Sequence, residues 1–288
     1  MFKKSLLFAA AIATSAAGLG HAVAAPLTLD VYNPGEAAIF PVASVLVAGK
    51  TDAVLVDTQF SRAEALKLVE RIRASGKKLT TIYISHGDPD FYFGLDVVHA
   101  AFPDAQILAT PETIAAMRAK AQAKVAFWGP ILKDNAPRDI VMPQPLQGGR
   151  IMLEGQVLTV AGTTPARSYL WIPSIKAVLG GVVLFNDLHV WTADTQSVES
   201  RRDWLTTLDG IAALKPLTVV PGHFKPGAAL TPDSIAYTRD YLLSFEAETA
   251  KAANSAELIA SMKRAYPHAG LDAALETSAK VAKGEMKW

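Results

Sequence analysis

The chain has 288 residues, half of them hydrophobic, with 28 basic against 27 acidic side chains and no cysteine. The near-neutral balance shows no basic stripe, which excludes nucleic acid as a partner. Without cysteine there are no disulfides and no thiolate ligands, so a metal ion would have to be held by His, carboxylate or water.

The N-terminus reads as a secretory signal. Lys3 and Lys4 form a basic start, Leu6 to Leu19 an apolar run, and Ala22-Val23-Ala24 a small-x-small cleavage site. A periplasmic or secreted protein cleaved near Ala24 is expected. The apolar run is shorter than the roughly 20 residues of a membrane anchor, and no later run approaches that length.

Val42 to Val47 and Ala53 to Val56 are β-branched runs split by Ala48-Gly49-Lys50-Thr51-Asp52, which predicts a hairpin. Asp57-Thr58-Gln59-Phe60 is a turn. Ser61 with Glu64 is a capping box that opens a helix carrying Leu66, Val69 and Ile72, and Gly76 ends it. A strand over Thr80 to Ile84 leads into His86-Gly87-Asp88-Pro89-Asp90-Phe91-Tyr92-Phe93-Gly94. Leu95 to Ala101 is a second helix, Ile107 to Ala109 a short strand, and Thr110-Pro111-Glu112 starts a third helix with Pro at its first position. Pro130, Pro137, Pro143 and Pro145 make 129–149 an irregular connection of the kind that often covers a site.

Ile151 to Leu153, Val157 to Val160, Ser168 to Ile172 and Ala177 to Leu179 form a second set of strands. A helix over Asp203 to Leu214 and a strand over Leu217 to Val220 follow, ending in Pro221-Gly222-His223. From Thr231 the chain is helical. Tyr237, Tyr241 and Phe245 share one face, and Asn254 with Glu257 caps a later helix. The expected organisation is a signal at 1–24, an α/β domain over 26–230 and a helical C-terminal extension over 231–288.

The segment from His86 resembles the His-x-His-x-Asp-His signature of the metallo-β-lactamase superfamily, with His86 and Asp90 kept and Asp88 and Phe91 at the other two positions. Four further landmarks resemble the family in order: Val54-Leu55-Val56-Asp57-Thr58, Ala161-Gly162-Thr163-Thr164-Pro165, Leu179-Gly180-Gly181-Val182-Val183 and Val219-Val220-Pro221-Gly222-His223. The resemblance implies a four-layer αββα sandwich, with hydrolysis by metal-activated water as the family chemistry. It implies that Thr163 stands at a ligand His and Gly181 at the bridging Asp. A two-zinc centre in the family's arrangement is therefore not expected.

His86, Asp88, Asp90 and His223 remain as candidate metal ligands for one divalent ion, with zinc first and iron or manganese as alternatives, or for none. With a metal, Asp90 would orient or deprotonate the attacking water. His189, in Asn186-Asp187-Leu188-His189, is a candidate acid or base, although a loop His bonded to backbone is the plainer role. Arg167 could bind an anionic group, with a surface ion pair as the plainer alternative. Phe91, Tyr92, Phe93, Trp128 and Trp191 could line a pocket or simply fill core. His99 and His268 read as structural or exposed.

Two functions follow. One is an exported hydrolase with an atypical single-metal site acting on an ester, lactone or related small molecule. The other is a non-catalytic periplasmic small-molecule-binding protein on a metal-depleted scaffold of the same type. The sequence does not specify an oligomeric state.

Overall fold

The structure is a computed structural model that describes residues 25–162 and 167–288. The expected signal segment and Thr163 lie outside the described residues. In chain order the elements of the first half are β1 (Thr28–Tyr32), β2 (Ser44–Ala48), β3 (Asp52–Val56), α1 (Arg62–Ala74), β4 (Lys78–Ile84), α2 (Pro89–Tyr92), α3 (Leu95–Ala101), β5 (Gln106–Ala109), α4 (Pro111–Leu132) and β6 (Gln144–Pro145). The second half holds β7 (Arg150–Leu153), β8 (Gln156–Ala161), β9 (Tyr169–Ile172), β10 (Ala177–Leu179), β11 (Phe185–Asn186), α5 (Val198–Ala213), β12 (Thr218–Val220), β13 (His223–Phe224), α6 (Asp233–Lys251), α7 (Ser255–Ala265) and α8 (Asp272–Ala282).

One sheet runs β1-β2-β3-β4-β5-β6 and a second runs β12-β10-β9-β8-β7; β11 and β13 pair separately. Residue alternation explains the layering, because successive strand side chains point to opposite faces. Val45, Val47, Val54 and Val56 join Leu158, Leu170, Ile172 and Leu179 in the core between the sheets. Leu46 and Leu55 pack instead with Leu68, Val69 and Ile72 of α1. On the far side, Val178 and Val219 pack with Trp204 and Leu208 of α5 and Tyr241 and Phe245 of α6. This is the αββα sandwich with its helical extension. Each fully buried Leu, Val or Phe here contributes roughly 1.5–3 kcal/mol.

Ser61 caps α1 by accepting from the Glu64 amide, while the Glu64 carboxylate turns to the Tyr32 hydroxyl and Lys67 instead of closing the box. Leu66, however, is solvent-exposed; Ala65, Leu68, Val69 and Ile72 form the buried face. Pro130 does not end α4, which continues to Leu132. Proline near a helix end removes only one late bond, and the buried Leu132 anchors the final turn.

The expected hairpin is β2–β3, and it is clamped from the second sheet. The carboxylate of Glu154 accepts from the amides of Lys50, Thr51 and Asp52 and from the Thr51 hydroxyl. Those bonds, the amides first, hold the Glu154 pKa down at about 2, from an ordinary 4.5. A carboxyl depressed in the folded state contributes stability above its unfolded pKa and loses it as pH falls towards the folded one. Stability is therefore expected to drop between about pH 4.5 and 2, with a shallower drop in Glu154→Gln. Urea midpoints measured across that range check it, and parallel curves for the two proteins would exclude the clamp.

Candidate active site

The signature segment lies in the turn between β4 and α2. Ser85 fixes its start: its amide donates to Asp57 Oδ1 at 2.8 Å and its hydroxyl to Oδ2 at 2.6 Å. The same hydroxyl accepts the Gly181 amide at 2.7 Å. Asp57 is buried, and burial pushes its carboxyl up to about 8 against the two bonds from Ser85. The turn is tied down again where the Thr58 amide donates to the Phe91 carbonyl at 2.8 Å. Gly94 follows because a Cβ there would stand 2.0 Å from the Thr58 carbonyl oxygen.

Asp88 is the N-cap residue of α2 and Pro89 its first helical residue. His86 turns its Nδ1 towards this cap, accepting the Asp88 amide at 3.2 Å, with Asp88 Oδ2 3.4 Å away. Burial lowers the His86 pKa and raises that of Asp88. Asp90 lies in α2 and meets His223, which β13 presents, with Oδ2 3.2 Å from Nε2. Both residues are buried, and His223 Nδ1 has no partner in the structure.

The four candidate ligands thus form two pairs, His86 with Asp88 and His223 with Asp90. The Phe91 ring stands against both imidazoles, its centroid 5.3 Å from that of His86 and 5.5 Å from that of His223. Among the described residues, no three His, Asp or Glu side chains are grouped so as to hold one metal ion. The Gly181 position has also closed. It has φ of +77°, and a Cβ there would lie 2.0 Å from the Ser168 carbonyl oxygen. These residues, as arranged, do not fit the expected one-metal centre.

A pocket with about 490 Å³ of empty space, its open mouth included, lies over the second pair. Asp88, Asp90 and His223 line it together with Phe40, Trp128 and Trp191. Of the five aromatics anticipated as its walls, only Trp128 and Trp191 serve. Phe91, Tyr92 and Phe93 are fully buried in core instead.

The structure puts other expected residues elsewhere. His189 does not line the pocket. It is buried with Nδ1 3.0 Å from the Tyr241 hydroxyl, its Nε2 3.7 Å from Asp272 Oδ1, so it fastens the extension to the body. Arg167 is not a surface ion pair. Its guanidinium carbon is 4.3 Å from the Trp204 ring centroid, and its Nε is buried without a partner. His99 is half-buried in α3 and His268 is exposed.

Phe40, Lys124, Asp194, Leu271 and Trp288 also reach the pocket and were not anticipated. The bulk of Phe40 and Trp288 was the only local signal for them.

A family model described as the metallo-beta-lactamase superfamily matches residues 38–223. Among solved structures, a metallo-beta-lactamase family protein from Thermus thermophilus is similar at a TM-score of 0.62 and 21% identity, over 88% of this chain and 91% of that one. A metallo-beta-lactamase from Pontibacter korlensis gives 0.56 and 17%, over 77% and 96%. The DIM-1 metallo-beta-lactamase gives 0.52 and 17%, over 77% and 99%. No match was found among curated proteins.

Proposed function

The chain belongs to the metallo-beta-lactamase superfamily, and from that premise we propose that it is a small-molecule hydrolase whose reacting water is handled by Asp90 and His223. Superfamily members generally bind divalent metals, usually zinc, and their fold supports a hydrolase-like activity. One observation carries the reading for this chain. His223 and Asp90 both line the pocket, with His223 Nε2 3.2 Å from Asp90 Oδ2. A carboxylate and an imidazole in contact form an acid–base pair that can take up and return one proton.

An ester or lactone carbonyl enters the pocket beside a water. Water oxygen attacks the acyl carbon while the Asp90 carboxylate takes its proton, held in place by His223 Nε2. The acyl C–O bond then breaks, and the same proton passes to the departing alkoxide. Export to the periplasm or beyond belongs to this proposal on the strength of the Lys3 to Ala24 segment.

A panel of short-chain aryl esters and γ-lactones tests it. Turnover that persists in a strong chelator is expected. Turnover that appears only on adding zinc, iron or manganese would restore the single-metal reading. A second reading, a non-catalytic binding protein, is favoured by the Phe91 ring against both imidazoles. It predicts saturable ligand binding with no turnover on any member of the panel.

A further inference from the structure

The pocket's walls are aromatic and its floor is acidic. Phe40 meets Trp128 edge-on at 5.5 Å and 81°, and Trp191 at 6.2 Å and 89°. Trp191 meets Trp288 at 5.0 Å and 68°. These near-perpendicular rings come from four separate parts of the chain. Asp194 holds two of them side by side, accepting from Trp191 Nε1 at 2.7 Å and Trp288 Nε1 at 3.0 Å.

Charge around the pocket is weighted towards carboxylate. Asp88, Asp90 and Asp194 line it against one cation, Lys124. Lys124 is itself drawn to the rim, with Nζ 5.0 Å from the Trp288 ring centroid, and Lys120 Nζ lies 3.9 Å from Asp194 Oδ1. Asp194 is thus taken up by the rim. On the floor, Asp90 has His223 and Asp88 has His86 beside it, with the Arg167 and Lys124 charges also felt by Asp88. His223, buried and lining the same pocket, keeps one ring nitrogen unpartnered.

An aromatic box over carboxylates is the chemistry that recognises an ammonium group, because ring faces and carboxylates both attract positive charge. We propose that this pocket receives the methylated or protonated ammonium group of its ligand, held between Phe40, Trp128 and Trp191 above Asp88. The inference rests on the reading of this pocket as the substrate site, and it narrows the substrate to a cationic ester or lactone.

Calorimetric titration of the full chain with tetramethylammonium chloride tests it, with tert-butanol as the uncharged probe and sodium acetate as the anionic one. Saturable binding of tetramethylammonium is expected, with tert-butanol and acetate at least roughly tenfold weaker. Trp191→Leu and Asp88→Asn are each expected to weaken it roughly tenfold, and Trp191→Phe to keep it. Equal binding of tert-butanol, tighter binding of acetate, or no binding of tetramethylammonium would overturn the proposal. No bond is cleaved in this titration, so the two readings fail separately. Turnover of neutral esters without cation binding defeats only this one, and cation binding without turnover of any ester defeats only the hydrolase.

Discussion

Replacing His223 by alanine is expected to cut ester turnover by about two to four orders of magnitude, the usual contribution of a positioned acid or base. The same change should destabilise the fold by about 3 kcal/mol. Asp90 is 6% exposed and has His223 as its ion-pair partner, so the alanine variant strands a buried carboxylate. Asp90→Asn separates the two effects. It removes the charge but keeps the shape, so turnover should fall with little loss of stability. Initial rates and urea denaturation on the same preparations check both. If both variants keep near-native rates, the pair is structural and the proposed chemistry is wrong.

Gly181→Asp, which writes back the residue type expected at the family's bridging position, should destabilise the protein by roughly 3–5 kcal/mol and recover no metal site. Two costs combine. The backbone at Gly181 has φ of +77°, and the new Cβ would lie 2.0 Å from the Ser168 carbonyl oxygen. Gly284→Asp is the control, since Gly284 has φ of +71° with nothing within 4 Å of its Cβ position. It should show only the smaller conformational cost, about 1–2 kcal/mol. Urea midpoints for the two variants check the difference. A Gly181→Asp protein of native stability that binds zinc would show that the turn has not closed.

The frame of the molecule was legible because it rests on local patterns. Alternation at Val45, Leu46 and Val47 assigns a strand with two buried faces, and the Ser61 cap starts a helix where the structure starts one. The ordered motifs indicated the sandwich for the same reason, since each is a strand end followed by a turn. Within the site, the sequence located His86, Asp88, Asp90 and His223 on the right turns but could not say which faces which. That is decided by the Phe91 ring beside both imidazoles and by the Ser85–Asp57–Gly181 hydrogen bonds. His189 is another case: its partner, the Tyr241 hydroxyl, is carried by α6, far along the chain. Trp288 gave no local sign of reaching the pocket, because Asp194 and Trp191 receive it only after the helical extension has folded back.

The most direct measurement is metal stoichiometry alongside turnover. The protein is purified without chelator, equilibrated with equimolar zinc, passed over a desalting column and submitted to elemental analysis. Well under one ion per chain is expected, with ester turnover unchanged after chelator treatment, because the ligands are divided between two pairs. One tightly held ion per chain, lost together with turnover in His86→Ala, would contradict a site that runs on Asp90 and His223.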